Sequence, residues 1–108
     1  MGLDIRIIQS TPVACPKCGE IVDHYEVQRI DSYGSAWYGV LENLGYYERG
    51  QRADENSWYG KDMILDREQT DRMYRLVKQS DVIEKLTVLQ LIASAAYEGD
   101  DVVINADW

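Results

Sequence analysis

The residues with the most chemistry in this 108-residue chain stand together as "CPKCGEIVDH", Cys15 to His24. Two thiols separated by two residues can grip one Zn²⁺, because the turn between them aims both sulfurs inward and its amides stabilise them. Pro16 and Gly19 suit such a turn. A structural zinc takes four ligands. The chain holds 2 Cys and 1 His, so Cys15, Cys18 and His24 are the candidate ligands, with Asp23 beside them. Spacing works against that set. With 20–24 extended at roughly 3.3 Å per residue, His24 stands more than ~10 Å from the knuckle. It ligates only if the strand starts later or the hairpin folds back. A second arrangement takes Cys15 and Cys18 from each of two chains, as a Cys₄ site on a two-fold axis. A third holds no metal and leaves a reduced turn or an adventitious disulfide. The expected cofactor is therefore zinc or none.

Other chemistry is sparse. A redox use of the Cys-x-x-Cys pair wants the motif at a helix start, where the dipole lowers the thiol pKa; here Gly19 and a strand follow. Asp54, Glu55 and Asp62 are acids without a partnered base or nucleophile. His24 sits mid-strand beside Tyr25 and Glu26, the setting of a structural histidine. No phosphate loop or dinucleotide fingerprint is present. Arg67, Arg72, Arg75 and Lys78 alternate with Asp66, Glu68 and Asp71, as on a solvated helix face. The net charge is −8, from 19 acidic and 11 basic residues. That surface repels phosphate and disfavours direct nucleic-acid binding. Glu98, Asp100, Asp101 and Asp107 follow Lys85 with no later basic residue. They serve solubility, or act by mimicking DNA or attracting a basic partner. No apolar run approaches the ~20 residues that cross a membrane. "MGLDIRIIQS" lacks a signal-peptide pattern, and Arg6 breaks the myristoylation pattern. The expectation is a cytoplasmic protein with reduced thiols.

The elements that must position the knuckle are legible in part. "LDIRIIQ" (3–9) alternates as a strand, with Leu3, Ile5 and Ile7 on one face. Residues 10–19 carry both prolines and both cysteines and read as a loop. Residues 20–30 alternate again: Ile21, Asp23, Tyr25, Val27 and Arg29 on one face, Val22, His24, Glu26, Gln28 and Ile30 on the other. The pair forms a hairpin over 1–30 with the cysteines at its tip. The segment 31–65 reads as a short helix and a long polar loop. Ser35 is the expected cap, Trp37, Tyr38, Val40, Leu41 and Leu44 lie at helical spacing, and Gly45 ends the helix. Residues 48–63 lack periodicity, with Trp58 and Tyr59 fastened to the body.

The segment 66–108 reads as helices and a final strand. Asp66 and Gln69 form a capping box behind Leu65. Thr70, Met73, Leu76 and Val77 make the buried stripe, with Glu68–Arg72 and Asp71–Arg75 pairs outside. Ser80, Asp81 and Glu84 signal a second start. The next helix, 82–97, lines up Val82, Leu86, Leu89, Ala93 and Ala96 with Ile83, Ile92 and Tyr97 beside them; a single kinked helix over 67–97 is the alternative. Gly99 ends it, and 102–105 is a strand. The expectation is a single α+β domain whose antiparallel sheet of three or four strands has helices on one face.

On a family scale, "LDIRI" (3–7), "CPKCG" (15–19), "DSYGSAWYGVLENLG" (31–45) and the closing helix and strand (82–105) resemble short proteins encoded in bacterial phages and mobile elements. Those begin with a similar strand and often carry a Cys-Pro-x-Cys-Gly knuckle. The chain departs from them at Asp31 and Ser32, where relatives often have a Thr-x-Asn element. The resemblance implies no activity. The two-chain Cys₄ arrangement is similar to the zinc hooks of double-strand-break repair ATPases, of which only the Cys-Pro-x-Cys element is present.

The aromatics weigh toward a contact role. The chain has 8 Tyr, 3 Trp and no Phe, side chains with polar tips that suit half-buried sites and interfaces. Trp37, Tyr38, Trp58, Tyr59 and Trp108 are the expected contact residues. The reading is a small acidic, noncatalytic interaction protein acting on a protein partner or on itself. The alternative is a zinc-knuckle protein or a redox or metal-dependent enzyme at Cys15 and Cys18.

Overall fold

Leu3, Ile5 and Ile7 point to one side of the first strand, and that side becomes the floor of the core. The computed structural model describes residues 2–52, 55–56 and 58–108. The elements are β1 (Asp4–Ala14), β2 (Ile21–Tyr33), α1 (Trp37–Leu44), β3 (Met63–Leu65), α2 (Arg67–Lys78), α3 (Lys85–Glu98) and β4 (Asp101–Asp107). The strands make one antiparallel sheet in the order β2-β1-β4-β3. The helices cover the face bearing Leu3, Ile5, Ile7, Met63, Leu65, Val102 and Ile104. This is the expected α+β architecture, with one element more. β3 arises at the end of the stretch read as loop, because three residues are too few to display a period.

The first hairpin is longer than the pattern announced. β1 runs through Pro12 to Ala14, across residues read as loop. Proline is tolerated there because the sheet has narrowed: β4 pairs with β1 only as far as Ser10–Asp101, so Pro12 faces β2 on one side and no strand on the other.

α1 ends on Gly45, whose φ of 81° is the left-handed cap geometry. Its start differs from expectation. Ala36 is the N-cap and no side chain caps it; Ser35 contributes its backbone carbonyl to the Tyr38 N–H at 3.2 Å instead. Trp37, expected at a contact surface, is fully enclosed. Its Nε1 donates to Ser32 Oγ at 2.9 Å, and that hydroxyl donates to the Ile83 carbonyl at 2.6 Å. The relay satisfies the indole's one polar atom, so the largest side chain of the core is buried without an orphaned donor.

The capping box of α2 forms as expected: the Gln69 N–H donates to Asp66 Oδ1 at 2.7 Å and the Asp66 N–H to Gln69 Oε1 at 3.1 Å. Glu68 and Arg72 pair at 3.1 Å. The 67–97 stretch is two helices, broken at Gln79–Glu84, with Glu84 in the left-handed region at φ 66°. α3 therefore starts at Lys85, and it buries Val88, Leu91, Ile92 and Ala95. Leu86, Ala93 and Ala96, expected inside, face solvent. Apolar residues nearly surround this helix, so periodicity alone did not select the side that meets the sheet. Among the described residues no helix is long and apolar enough to cross a membrane.

Beyond β3 the far edge of β4 has no strand, and a phenol takes its place. The fully buried Tyr46 donates to the Lys61 carbonyl at 2.6 Å and accepts from the Ala106 N–H at 2.9 Å. Burial raises the phenol above its usual 10.0, against the pull of its backbone hydrogen bonds. The folded state thus favours neutral phenol. Its contribution to stability is full below the unfolded value and is lost as pH rises through the higher folded one. When absorbance at 295 nm is followed through an alkaline titration, the Tyr46 phenol should ionise above its usual range, in step with unfolding. Tyr46→Phe should cost about 1–3 kcal/mol at neutral pH in urea unfolding, since the Ala106 N–H loses its acceptor.

Candidate functional site

Thr11, Val13, Ile21, Val22, Tyr25 and Val27 favour extended chain. Past Ser10 and Asp101 they continue the sheet as a two-stranded arm, with Ala14–Ile21 the last pair. Two register shifts shape it. Gln9 pairs with Gln28 and Ser10 with Glu26, leaving Val27 as an extra residue; Val13 pairs with Asp23 and Ala14 with Ile21, leaving Val22. Such bulges sharpen twist and re-aim side chains. Unbroken alternation placed Tyr25 with Arg29 and His24 with Ile30. The bulge at Val27 instead sets His24 and Glu26 on the face of Arg29 and Asp31, and Tyr25 on the face of Gln28 and Ile30.

The arm is fastened where the core ends. Gln9 is buried; its Nε2 donates to Asp100 Oδ2 at 2.7 Å and its Oε1 accepts from Gln28 at 2.6 Å. Thr11 Oγ1 donates to Asp100 Oδ1 at 2.8 Å. A satisfied network of this kind holds one geometry in a low dielectric. Sequence reasoning gave Gln9 no role and read Asp100 as one of the late surface acids. The signal was present: Gln9 continues the inward alternation of Leu3, Ile5 and Ile7 as a polar residue at a core position.

Past this network the arm stands in solvent. Val22 is 64% and Tyr25 68% exposed, with Ile21, Val27 and Val13 also open. β2 is the outermost strand of the sheet, so one edge of it faces no other strand.

At the tip, the Cys15 N–H donates to the Glu20 carbonyl at 2.7 Å and the Gly19 N–H to the Cys15 carbonyl at 2.9 Å. Gly19 sits at φ 74°, which a side chain would strain. Both thiols are free. The backbone N–H of Lys17, then that of Cys18, then the Cys18 thiol bond the Cys15 sulfur and hold its thiol below the usual 9.0. Alkylation of Cys15 by iodoacetamide, followed by peptide mass mapping, should therefore begin at a lower pH in the folded metal-free chain than in urea. Identical profiles would contradict the turn geometry.

The structure brings Cys15 and Cys18 together and leaves His24 apart. His24 pairs with Pro12 across the ladder, and its Nε2 lies 3.5 Å from Asp101 Oδ2. Asp23 accepts the His24 N–H at 2.8 Å. Among the described residues, no three of His, Cys, Asp and Glu gather closely enough to hold a metal.

Four of the five expected contact aromatics do meet, at the opposite end of the sheet. Tyr38 lies tilted against Tyr47 at 4.9 Å, Tyr47 and Tyr59 meet Trp108 edge-to-face at 5.1 Å and 4.9 Å, and Trp58 lies against Tyr46 at 6.2 Å. The cluster fastens Trp58 and Tyr59 to the body, helped by the Tyr59 hydroxyl donating to the Trp108 carbonyl at 3.0 Å. The acids are occupied too. Asp62 accepts from Asn105 at 2.8 Å, Asp107 pairs with Arg6 at 2.9 Å and Glu55 with Arg52 at 3.1 Å. Asp54 lies outside the described residues. Comparison with protein families, curated proteins and solved structures finds no match to the chain.

Proposed function

We propose that the chain is a noncatalytic contact module, carried by a phage or mobile element and acting in the cytoplasm, whose docking element is the β1–β2 arm. The observation that carries this reading is the arm itself. It is an extended ribbon with Ile21, Val22, Tyr25 and Val27 in solvent, attached to a body whose core it does not enter. A two-stranded ribbon alone is marginal in water. An open edge is a template for an added strand from a partner. Asp23, Glu26, Arg29 and Asp31 along the same strand limit that pairing to a partner of matching charge and register.

The test places a photo-crosslinking amino acid at Tyr25 or at Tyr97, in cells that supply the partner. Tyr97 is 89% exposed on α3 and marks the rival surface with Leu86. Discrete adducts from Tyr25 and none from Tyr97 are expected. Adducts from Tyr97 alone, or from neither, overturn the reading.

A further inference from the structure

The arm ends in a pair of thiols that no other described residue completes as a metal site. We infer that Cys15 and Cys18 of one copy and the same residues of a second copy hold one Zn²⁺ between them, joining two arms tip to tip. This rests on the arm being the contact element and names its partner at the tip.

The turn is shaped for the purpose. The Cys15 N–H donates to the Glu20 carbonyl at 2.7 Å and the Gly19 N–H to the Cys15 carbonyl at 2.9 Å, which closes the tight Cys-x-x-Cys turn that a zinc knuckle requires. Gly19 takes the left-handed position that closes the turn. Zinc needs two further ligands, and among the described residues no third ligand stands near: His24 is turned to Asp101, Asp23 to the backbone of His24. The tip residues Pro16, Lys17, Cys18, Gly19 and Glu20 are all exposed, and Lys17 and Glu20 are the only long side chains there. Two such tips can approach closely.

Charge favours the same meeting point. Each copy carries −8, so contact between the bodies is repulsive. Cys15 lies five residues beyond Ser10, roughly 17 Å at about 3.3 Å per residue. Tip-to-tip joining keeps the bodies roughly 30 Å apart, several times the ~8 Å screening length at physiological salt. Four thiols release their protons to water as four Zn–S bonds form, and the resulting tetrathiolate is doubly negative. The two Lys17 ammoniums, one from each copy, stand beside it with the opposite charge.

The experiment loads the purified, reduced full chain with zinc alone and measures metal per chain together with mass by light scattering. One zinc per two chains and a doubled mass are expected, with Co²⁺ in its place producing the strong thiolate charge-transfer bands of a tetrahedral sulfur site. Cys15→Ser and Cys18→Ser should each lose the metal and the doubled mass while circular dichroism stays unchanged, because neither residue touches the core. No bound zinc, one zinc per chain in a monomer, or a dimer that persists in the serine variants would each overturn the inference. Crosslinking from Tyr25 uses no added metal, so its success beside a failed zinc test removes only the metal bridge.

Discussion

Trp37→Ala is expected to cost about 3–5 kcal/mol, the range for emptying a large aromatic site in a core. Domains of this size hold about 5–15 kcal/mol in all. The variant should therefore lose a large part of its stability, and its Tm should fall by about 15–30 °C. Two effects add. The indole is fully buried between α1 and the sheet, and its removal leaves a cavity that Val40, Leu41 and Leu44 on the same helix only partly close. The Ser32 hydroxyl also loses the donor at 2.9 Å that completed its relay to Ile83. Trp58→Ala is the control. Trp58 is 37% exposed and meets Tyr46 at a 6.2 Å centroid distance, so its loss should cost less, about 2 kcal/mol. Urea unfolding of both variants checks the pair. Equal costs would contradict the division between a core tryptophan and one that fastens a loop.

Shortening the arm should do the reverse, leaving the fold and removing the contact. Thr11 and Tyr25 face each other across the ladder, so residues 12–24 can be replaced by Asn-Gly, the pair preferred in two-residue hairpin turns. No buried residue lies between 11 and 31. The network that secures the arm's base, Gln9 with Gln28, Asp100 and Thr11, stays intact. The unfolding free energy should move by less than about 1 kcal/mol, as for surface changes away from caps and core. The shortened chain should lose every adduct and metal ion that depends on the arm. Global unfolding of this variant would make the arm part of the fold rather than a docking element.

How much of this was legible in the sequence follows from how local each signal is. The capping box at Asp66 and Gln69 and the helix ends at Gly45 and Gly99 are written within a few residues, and they form as read. The first hairpin with the cysteines at its tip is also a local pattern. What escaped depends on distant partners. Pro12 reads as a strand breaker until the end of β4 at Asp101 shows that nothing lies on its far side. Met63–Leu65 becomes a strand only because Ile104, Val103 and Val102 are there to pair with it. α3 shows apolar residues almost all round, and which of them are buried is decided by the sheet beneath.

The candidate site divides in the same way. Cys15 and Cys18 announce each other by spacing. His24 follows them in sequence, yet the β2 ladder carries it to Asp101. Trp37 and Trp58 are alike in composition and opposite in role, because one lies on the inner side of a helix and the other in the loop at its far end. The bulge at Val27 reverses which residues share the arm's faces, and no residue type along 20–30 signals it. Bulges are set by the register of two strands, so they become visible only with both in place.

On the proposed reading, contact is made by the arm and the body only carries it. The most direct measurement immobilises the full chain and the 12–24 shortened chain, exposes both to lysate of the cells that produce the protein, and compares retained proteins by quantitative mass spectrometry. A defined set, a second copy of the chain included, is expected on the full chain and its loss from the shortened one, with equal circular dichroism for both. The same set retained by the shortened chain would contradict it.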